Sequence, residues 1–307
     1  MKKVIVTGAN GFIGTALCRE LALNGIQVIA VLRDENENID DLKDLDGIRI
    51  VYCDLMNFRN LAELISDRDV EVLYHLAWVG SAGKLRGDID VQINNIKYTC
   101  DTIKACADMK CKRFVFAASI MEYEIEALMQ TDASPNISTL YSGAKISADY
   151  MARTLAAGVG VEYIRAVISN IYGAGEKSQR LVITSLKKLL KGEHCSFSKG
   201  EQMYDFIYIT DAAKAFAAIG EKGYPNRTYY IGSLKPRPLK EFLTEMGEQV
   251  SKEIKLGIGD LEFNGVSLSY QEFDVEAVKK DTGFEPSVTF AEGIKKTINW
   301  LKEQKDV

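Results

Sequence analysis

At 307 residues, with 47% hydrophobic and 26% charged side chains, the chain has ordinary globular composition and enough apolar material for a core larger than one small domain needs. A formal charge of −5 and a pI near 5.4 leave no basic field for a polyphosphate backbone, which excludes nucleic acid as a partner. No run approaches the roughly 18 apolar residues of a membrane span, and the early lysines precede only Val4-Ile5-Val6, too short for a signal-peptide core, so a cytoplasmic protein is expected.

Taken in chain order, Lys3–Thr7 reads as a strand and Gly14–Asn24 as an amphipathic helix that stops at Asn24-Gly25, where a left-handed residue is wanted. Between them lies Thr7-Gly-Ala-Asn-Gly-Phe-Ile-Gly14. Gly8 permits the tight turn, Gly11 lets the backbone approach a pyrophosphate, and Gly14 lets the helix pack close to the strand. A strand before the glycines and a helix after them distinguish a dinucleotide loop from glycines that merely relax a turn.

Gln27–Leu32 is the second strand. A carboxylate at its end would accept the ribose hydroxyls of NAD, whereas an arginine suits the 2′-phosphate of NADP. Arg33 follows the strand, which favours NADP(H), while Asp34 beside it keeps NAD possible; an Arg33 paired to Asp34 or Glu35 is the bland alternative. After the third strand, Ile48–Tyr52, Asp54 is placed either to contact the adenine amino group or to cap the next helix, Arg59–Ile65.

The fourth and fifth strands are Val70–Leu76 and Arg113–Ala118, with a helix at Asn94–Met109 between them; a helix at Tyr141–Gly158 leads to a sixth strand, Val161–Val167. This alternation predicts an α/β fold with a doubly wound, Rossmann-type parallel sheet. Ser119 ends the fifth strand and delivers a hydroxyl to the carboxyl edge of the sheet, where ligands bind in this architecture. Tyr141 and Lys145 share one helix face. A neighbouring ammonium lowers a phenol's pKa from about 10 toward neutrality, which suits a proton donor to a ketone. Such a pair occurs by chance in a chain this long; its combination with Ser119 and the glycine loop makes it catalytic, with Ser119 steadying the substrate oxygen while Tyr141 transfers the proton.

After Gly173 the rhythm changes to helices, short strands and turns such as Lys235-Pro-Arg-Pro238. Residues 1–173 are therefore expected to form the dinucleotide-binding domain, with 203–222 returning to it. Residues 174–202 and 223–307 would form a smaller, mixed substrate domain. The six cysteines show no CxxC pair and read as reduced packing residues, and His75 and His194 have no ligand-spaced partners, so no metal site is expected.

Thr7–Gly14, His75-Leu-Ala77, Asn95-Ile96, Ser119 with Tyr123, Tyr141-Ser-Gly-Ala-Lys145, Asn170-Ile-Tyr-Gly173, Asp205-Phe-Ile-Tyr-Ile-Thr-Asp211 and Asp281-Thr-Gly-Phe-Glu-Pro286 together resemble the extended short-chain dehydrogenase/reductases, specifically the nucleotide-sugar epimerase/dehydratase superfamily. The resemblance implies that Lys145 holds the nicotinamide ribose, that Asn10, Phe12, Ile13, Leu55, Leu76 and Ala77 join the cofactor contacts, and that Asn170 touches the sugar nucleotide. His75 and Asn95 match scaffold positions near the cofactor. A homodimer through the helices at Asn94–Met109 and Tyr141–Gly158 is also implied.

Departures narrow the reaction. Family dehydratases carry an Asp-Glu pair after the strand-end hydroxyl, where this chain has Ile120-Met121. Many uridine-diphosphate-sugar epimerases place an arginine where Tyr204 stands, and the arginine usual three residues before Asn170 is Val167; Arg180 and Arg237 are the candidate substitutes for binding the diphosphate. The stretch Gly200–Tyr208 resembles the 4-keto-6-deoxy-sugar reductases that make abequose-like sugars. The leading expectation is thus an NADPH-dependent reductase of a nucleotide-linked 4-keto sugar in surface polysaccharide synthesis. The alternatives are a nucleotide-sugar 4-epimerase with tightly held NAD and, more remotely, a non-catalytic dinucleotide sensor.

Overall fold

The computed structural model describes residues 1–132, 134–263 and 265–304 of the chain. In chain order the strands are β1 (Lys3–Thr7), β2 (Gln27–Leu32), β3 (Ile48–Tyr52), β4 (Val72–His75), β5 (Arg113–Ser119), β6 (Glu162–Ile168), β7 (Asn170–Tyr172), β8 (Ser196–Phe197), β9 (Met203–Tyr204), β10 (Phe206–Tyr208), β11 (Thr228–Ile231), β12 (Arg237–Pro238) and β13 (Gly257–Ile258). The helices are α1 (Phe12–Leu23), α2 (Leu61–Leu64), α3 (Ile89–Asp108), α4 (Tyr123–Met129), α5 (Thr139–Val159), α6 (Leu181–Leu190), α7 (Ile209–Lys222), α8 (Leu239–Val250), α9 (Ala277–Thr282) and α10 (Phe290–Glu303).

Seven strands form one parallel sheet in the order β3-β2-β1-β4-β5-β6-β11. This is the doubly wound α/β architecture that the alternating pattern implied. A parallel sheet must be covered on both faces, and the sequence provides for it. Val4, Ile5 and Val6 of β1 and Phe114, Val115 and Phe116 of β5 are all fully buried. Because side chains alternate across a strand, Val4, Val6 and Ala30 pack with Leu17 and Leu21 of α1 and Phe216 and Ile219 of α7, whereas Ile5, Ile29 and Phe114 pack with Ile103 of α3 and Ala148 and Ala152 of α5. Burying each large aliphatic side chain contributes about 1.5–3 kcal/mol, whereas an exposed ion pair contributes about 0–1; the two apolar layers therefore dominate the stability of the sheet. All six cysteines are free and buried, and no described helix is long and apolar enough to cross a membrane.

The expected return of residues 203–222 needs correction. β10 pairs with β7 in a separate two-stranded sheet, and only α7 comes back, packing on α1. The strand that extends the main sheet is β11, alongside β6, within a segment assigned from sequence to the substrate domain. It is four residues long, Thr-Tyr-Tyr-Ile, too short to show a period of its own. The remaining short strands pair as β9 with β12 and β8 with β13, and α8 packs against α6 and α10.

Strand order reverses between β1 and β4, the position at which ligands bind in doubly wound sheets. The two strand ends meet closely there. A Cβ on Gly8, whose φ is +66°, would lie 2.9 Å from the Ala77 backbone, and a Cβ on Gly14 would lie 2.1 Å from the Gly8 carbonyl oxygen. Gly14→Ala is accordingly expected to destabilise the protein by about 3 kcal/mol or more, the upper end of overpacking costs. Gly25→Ala, at φ +74° with nothing within 4 Å, should cost only the backbone strain of about 1–2 kcal/mol. Urea unfolding of the two variants checks the order, and equal losses would contradict it.

Candidate active site

A cavity of about 970 Å³ follows the carboxyl edge of the sheet, at the upper end of volumes for small-molecule sites. It is lined by Gly8, Asn10, Gly11, Phe12, Ile13 and Gly14 of the glycine loop, by Leu76 and Ala77 after β4, and by Ser119, Tyr141, Lys145 and Arg180. α1 starts at Gly11 with no side-chain cap, so its first-turn amides and positive end are open to an anion. A Cβ on Gly11 would sit 3.2 Å from the Gly8 oxygen. A side chain there would crowd the turn, and the residues present fit a dinucleotide pyrophosphate.

Ser119 and Tyr141 come together although β5 and α5 are separated by α4 and a loop. Ser119 stands at the end of β5, where its Oγ accepts from the Met121 amide at 3.2 Å and is close enough to the Tyr141 phenol to ease its ionisation. The serine is thus both a turn cap and a neighbour of the phenol. Burial raises the Tyr141 pKa, opposed by the Ser119 hydrogen bond and then by the charge of Arg86. The guanidinium carbon of Arg86 lies 4.6 Å from the centre of the Tyr141 ring, and Trp78 meets that ring edge-on.

Lys145 shares the buried helix face with Tyr141 and is held by neighbours of its own. Its Nζ donates to the Ala117 carbonyl at 2.9 Å and lies 3.8 Å from the centre of the Trp78 ring. Burial pushes its pKa down to about 7, against the pull of Glu122 and Asp149. Its ammonium form is therefore much less favoured than that of an ordinary lysine, and the first-named charge that eases ionisation of the phenol is that of Arg86.

Glu122 is buried and turned away from Ser119 Oγ. One carboxylate oxygen accepts from the Ser119 amide at 2.8 Å, and the other is ion-paired to Arg165. With Ile120 and Met121 beside Ser119, no carboxylate is free there to act on a substrate.

The family model for the NAD-dependent epimerase/dehydratase family matches residues 4–232, about three quarters of the sequence. The chain belongs to that family. Among its relatives, the dTDP-glucose 4,6-dehydratase of Escherichia coli is 24% identical, with 99% of this chain and 94% of that protein covered. The UDP-glucuronate 4-epimerase of Thermodesulfobacterium geofontis is 23% identical over 97% and 96%. The UDP-N-acetylglucosamine 4-epimerase of Methanobrevibacter ruminantium, solved in complex with UDP-N-acetylmuramic acid, superposes with a TM-score of 0.81 at 21% identity, covering 98% of each chain. The Bordetella bronchiseptica enzyme WbmF in complex with NAD+ and UDP gives 0.81 at 23% identity, covering 98% and 92%. At these identities the solved structures speak for the fold.

Within this family member, several sequence-based candidates lie off the cavity lining. Arg33 is largely exposed and is held by Asp34 at 3.1 Å and by Glu37, which also accepts from the Asn10 amide nitrogen at 2.7 Å. That pairing uses the charge on which the NADP(H) preference rested. Asp54 caps the short 3₁₀ turn that begins at Leu55, accepting from the Met56 amide at 2.9 Å. Asn170 opens β7 and donates to the Asp205 carbonyl at 3.1 Å. Arg237 is ion-paired to Glu245 and stacked 4.0 Å over Phe242. Trp78, Arg86 and Glu176 are site residues that the sequence reading missed, because nothing in their local spacing relates them to Tyr141.

His75 is part of the scaffold. Its ring nitrogens lie 3.1 Å from Thr7 Oγ1 and 3.2 Å from Thr99 Oγ1, tying β4 to β1 and α3. Asn95 clamps the following loop, accepting from the Val79 amide at 3.1 Å and donating to the Val79 carbonyl at 2.8 Å. Burial, followed by the charge of Lys145, lowers the His75 pKa from 6.5 to about 3. A group depressed in the folded state contributes stability that is complete above its unfolded pKa and is lost as pH falls toward the folded one. Between about pH 6.5 and 3 this histidine should therefore steepen acid destabilisation by up to about 1.4 kcal/mol per pH unit. His75→Gln should remove that contribution from urea unfolding measured at pH 7 and 5, and an unchanged pH slope would contradict the assignment.

Proposed function

We propose that this chain is a nucleotide-diphosphate-sugar 4-epimerase using NAD, with Ser119, Tyr141 and Lys145 as its catalytic residues. The observation that carries the reading is that Ser119 and Tyr141 line one cavity while the positions directly after Ser119 are Ile120 and Met121 and the next carboxylate, Glu122, is engaged by Arg165 and the Ser119 amide. A bound nicotinamide supplies the hydride acceptor and donor. Tyr141, through its Oη, takes the proton of the sugar 4-hydroxyl and later returns it, while Ser119 hydrogen-bonds the same oxygen. Burial favours the neutral phenol, so the charge of Arg86 matters for reaching the phenolate. Lys145, whose pKa burial pushes down to about 7, can hold a ribose hydroxyl or take up a proton.

Family dehydratases use carboxylates directly after the strand-end hydroxyl; here Glu122 is engaged by Arg165 and the Ser119 amide, and Glu176, the unpaired carboxylate on the cavity, belongs to the β7–α6 loop instead. This argues against a dehydratase. NAD fits better than NADP because Arg33 is shared by two carboxylates, which a 2′-phosphate would have to displace. The 4-keto-sugar reductase reading leaned in part on that arginine and now rests on the Gly200–Tyr208 resemblance and the departures at Ile120-Met121 and Tyr204; Ser119, Tyr141 and Lys145 would serve either reaction. The likeness to the UDP-glucuronate 4-epimerase and to the UDP-N-acetylglucosamine 4-epimerase supports the same reading. Arg180 is the remaining candidate for the diphosphate. A homodimer would use the outer faces of α3 and α5, where Ile89, Ile93, Tyr150 and Met151 are exposed.

The purified protein should carry bound NAD and interconvert two 4-hydroxy epimers, UDP sugars first, without added cofactor. Consumption of one reduced nicotinamide per 4-keto sugar, with no interconversion, would instead establish the reductase. Tyr141→Phe should keep its NAD and lose turnover by about 10² or more; unchanged turnover would remove Tyr141 from the mechanism.

A further inference from the structure

The loop between β7 and α6 holds a carboxylate that no other part of the described chain completes. Glu176 is 4% exposed and lines the cavity. Its Oε1 accepts from the Ser178 amide at 3.0 Å, while its Oε2 is buried without a hydrogen-bond partner. The nearest cation, Arg180 Nε, stands 4.0 Å away, beyond hydrogen-bond distance. The Ser178 hydroxyl, in the same loop and also lining the cavity, is buried and lacks a partner as well.

A buried, unsatisfied carboxylate oxygen is expensive, and one on a cavity wall is completed by whatever fills the cavity. The group that meets Glu176 Oε2 itself cannot be an anionic oxygen, which the carboxylate would repel; the open amides of the glycine loop and the guanidinium of Arg180 are the places for phosphates. The group must donate an O–H or N–H. The loop also stands near the reacting phenol, because the charge of Arg180 acts on Tyr141.

Building on the nucleotide-sugar reading, we infer that Glu176 and Ser178 form a subsite for the hydroxyl-bearing part of the bound ligands, with Glu176 Oε2 accepting and Ser178 Oγ donating or accepting. Two parts of the ligands carry that chemistry: the sugar ring and the ribose of the nicotinamide half.

Titration calorimetry on the full chain distinguishes them, with NAD, UDP, UDP-glucose, dTDP and dTDP-glucose as probes for wild type, Glu176→Ala and Ser178→Ala. A sugar subsite predicts that Glu176→Ala weakens the glucose conjugates about tenfold or more while the bare diphosphates are held as before. Selective weakening of NAD by a similar factor would assign the subsite to the ribose. Equal weakening of bare diphosphates and conjugates, or no change with any probe, would overturn the inference. Glu176→Gln, which keeps the volume but not the charge, should show the same selectivity more weakly if the alanine variant fails to fold. A wild-type protein that binds NAD but none of the nucleotides would refute the nucleotide-sugar reading, and the NAD titration would then decide Glu176 alone.

Discussion

The close approach of three backbone segments at the Gly8 carbonyl is the constraint on which the rest depends. Gly11 donates its amide to that oxygen at 3.1 Å, Gly14 has no room beside it for a side chain, and Gly8 itself abuts Ala77. The contact sets the start of α1 at the sheet edge where strand order reverses. An unpaired helix end is thereby aimed at the space between the ends of β1 and β4. Without that approach the helix could still cover the sheet, but its amides would not border the cavity.

A second layer of organisation is polar and buried. Arg165 of β6 is ion-paired to Glu122 and to Asp149, and Asp149 also accepts from the Tyr163 hydroxyl at 2.6 Å. The network ties β6 to α5 and to the turn after Ser119, and its carboxylates keep Lys145 from losing its proton altogether on burial. Removing one partner of such a pair strands a buried charge, at about 3–5 kcal/mol. Two more carboxylates act as fasteners. Asp205 accepts from the Tyr230 hydroxyl at 2.8 Å and the Ser233 amide at 3.1 Å, and Asp211 accepts from the amides of Ser287 and Val288, each at 2.7 Å. The segment Asp205–Asp211 thus fastens β11 and the chain ahead of α10 rather than contacting the cavity through its carboxylates.

The cavity is divided electrostatically. One part is the open helix end of the glycine loop, suited to phosphate; another is the unsatisfied Glu176 carboxylate, suited to donors. Between these lies a phenol whose proton is held by burial and loosened by Ser119 and Arg86.

How much of this was legible in the sequence depends on the range of the interaction. β1 and β2 follow their apolar runs, because a strand buried on both faces must be nearly continuously apolar; β3 matches its expected bounds as the half-exposed edge strand. α3 starts at Ile89 rather than Asn94, since the Asp88 side chain caps it by accepting from the Val91 amide at 3.0 Å, a local signal outweighed by periodicity. The glycine loop, Ser119 and the Tyr141/Lys145 pair were readable from spacing within single elements. Only the tertiary structure decided that Glu37 and Asp34 use the charge of Arg33, that Lys145 turns to Ala117 while Arg86 approaches Tyr141, and that β11 rather than β10 completes the sheet. Sequence by itself determined which residues share a strand or a helix face, because those relations follow from backbone period. Which side chains from distant segments meet, and which polar atoms are left for a ligand, was settled by packing, since those contacts have no period to read.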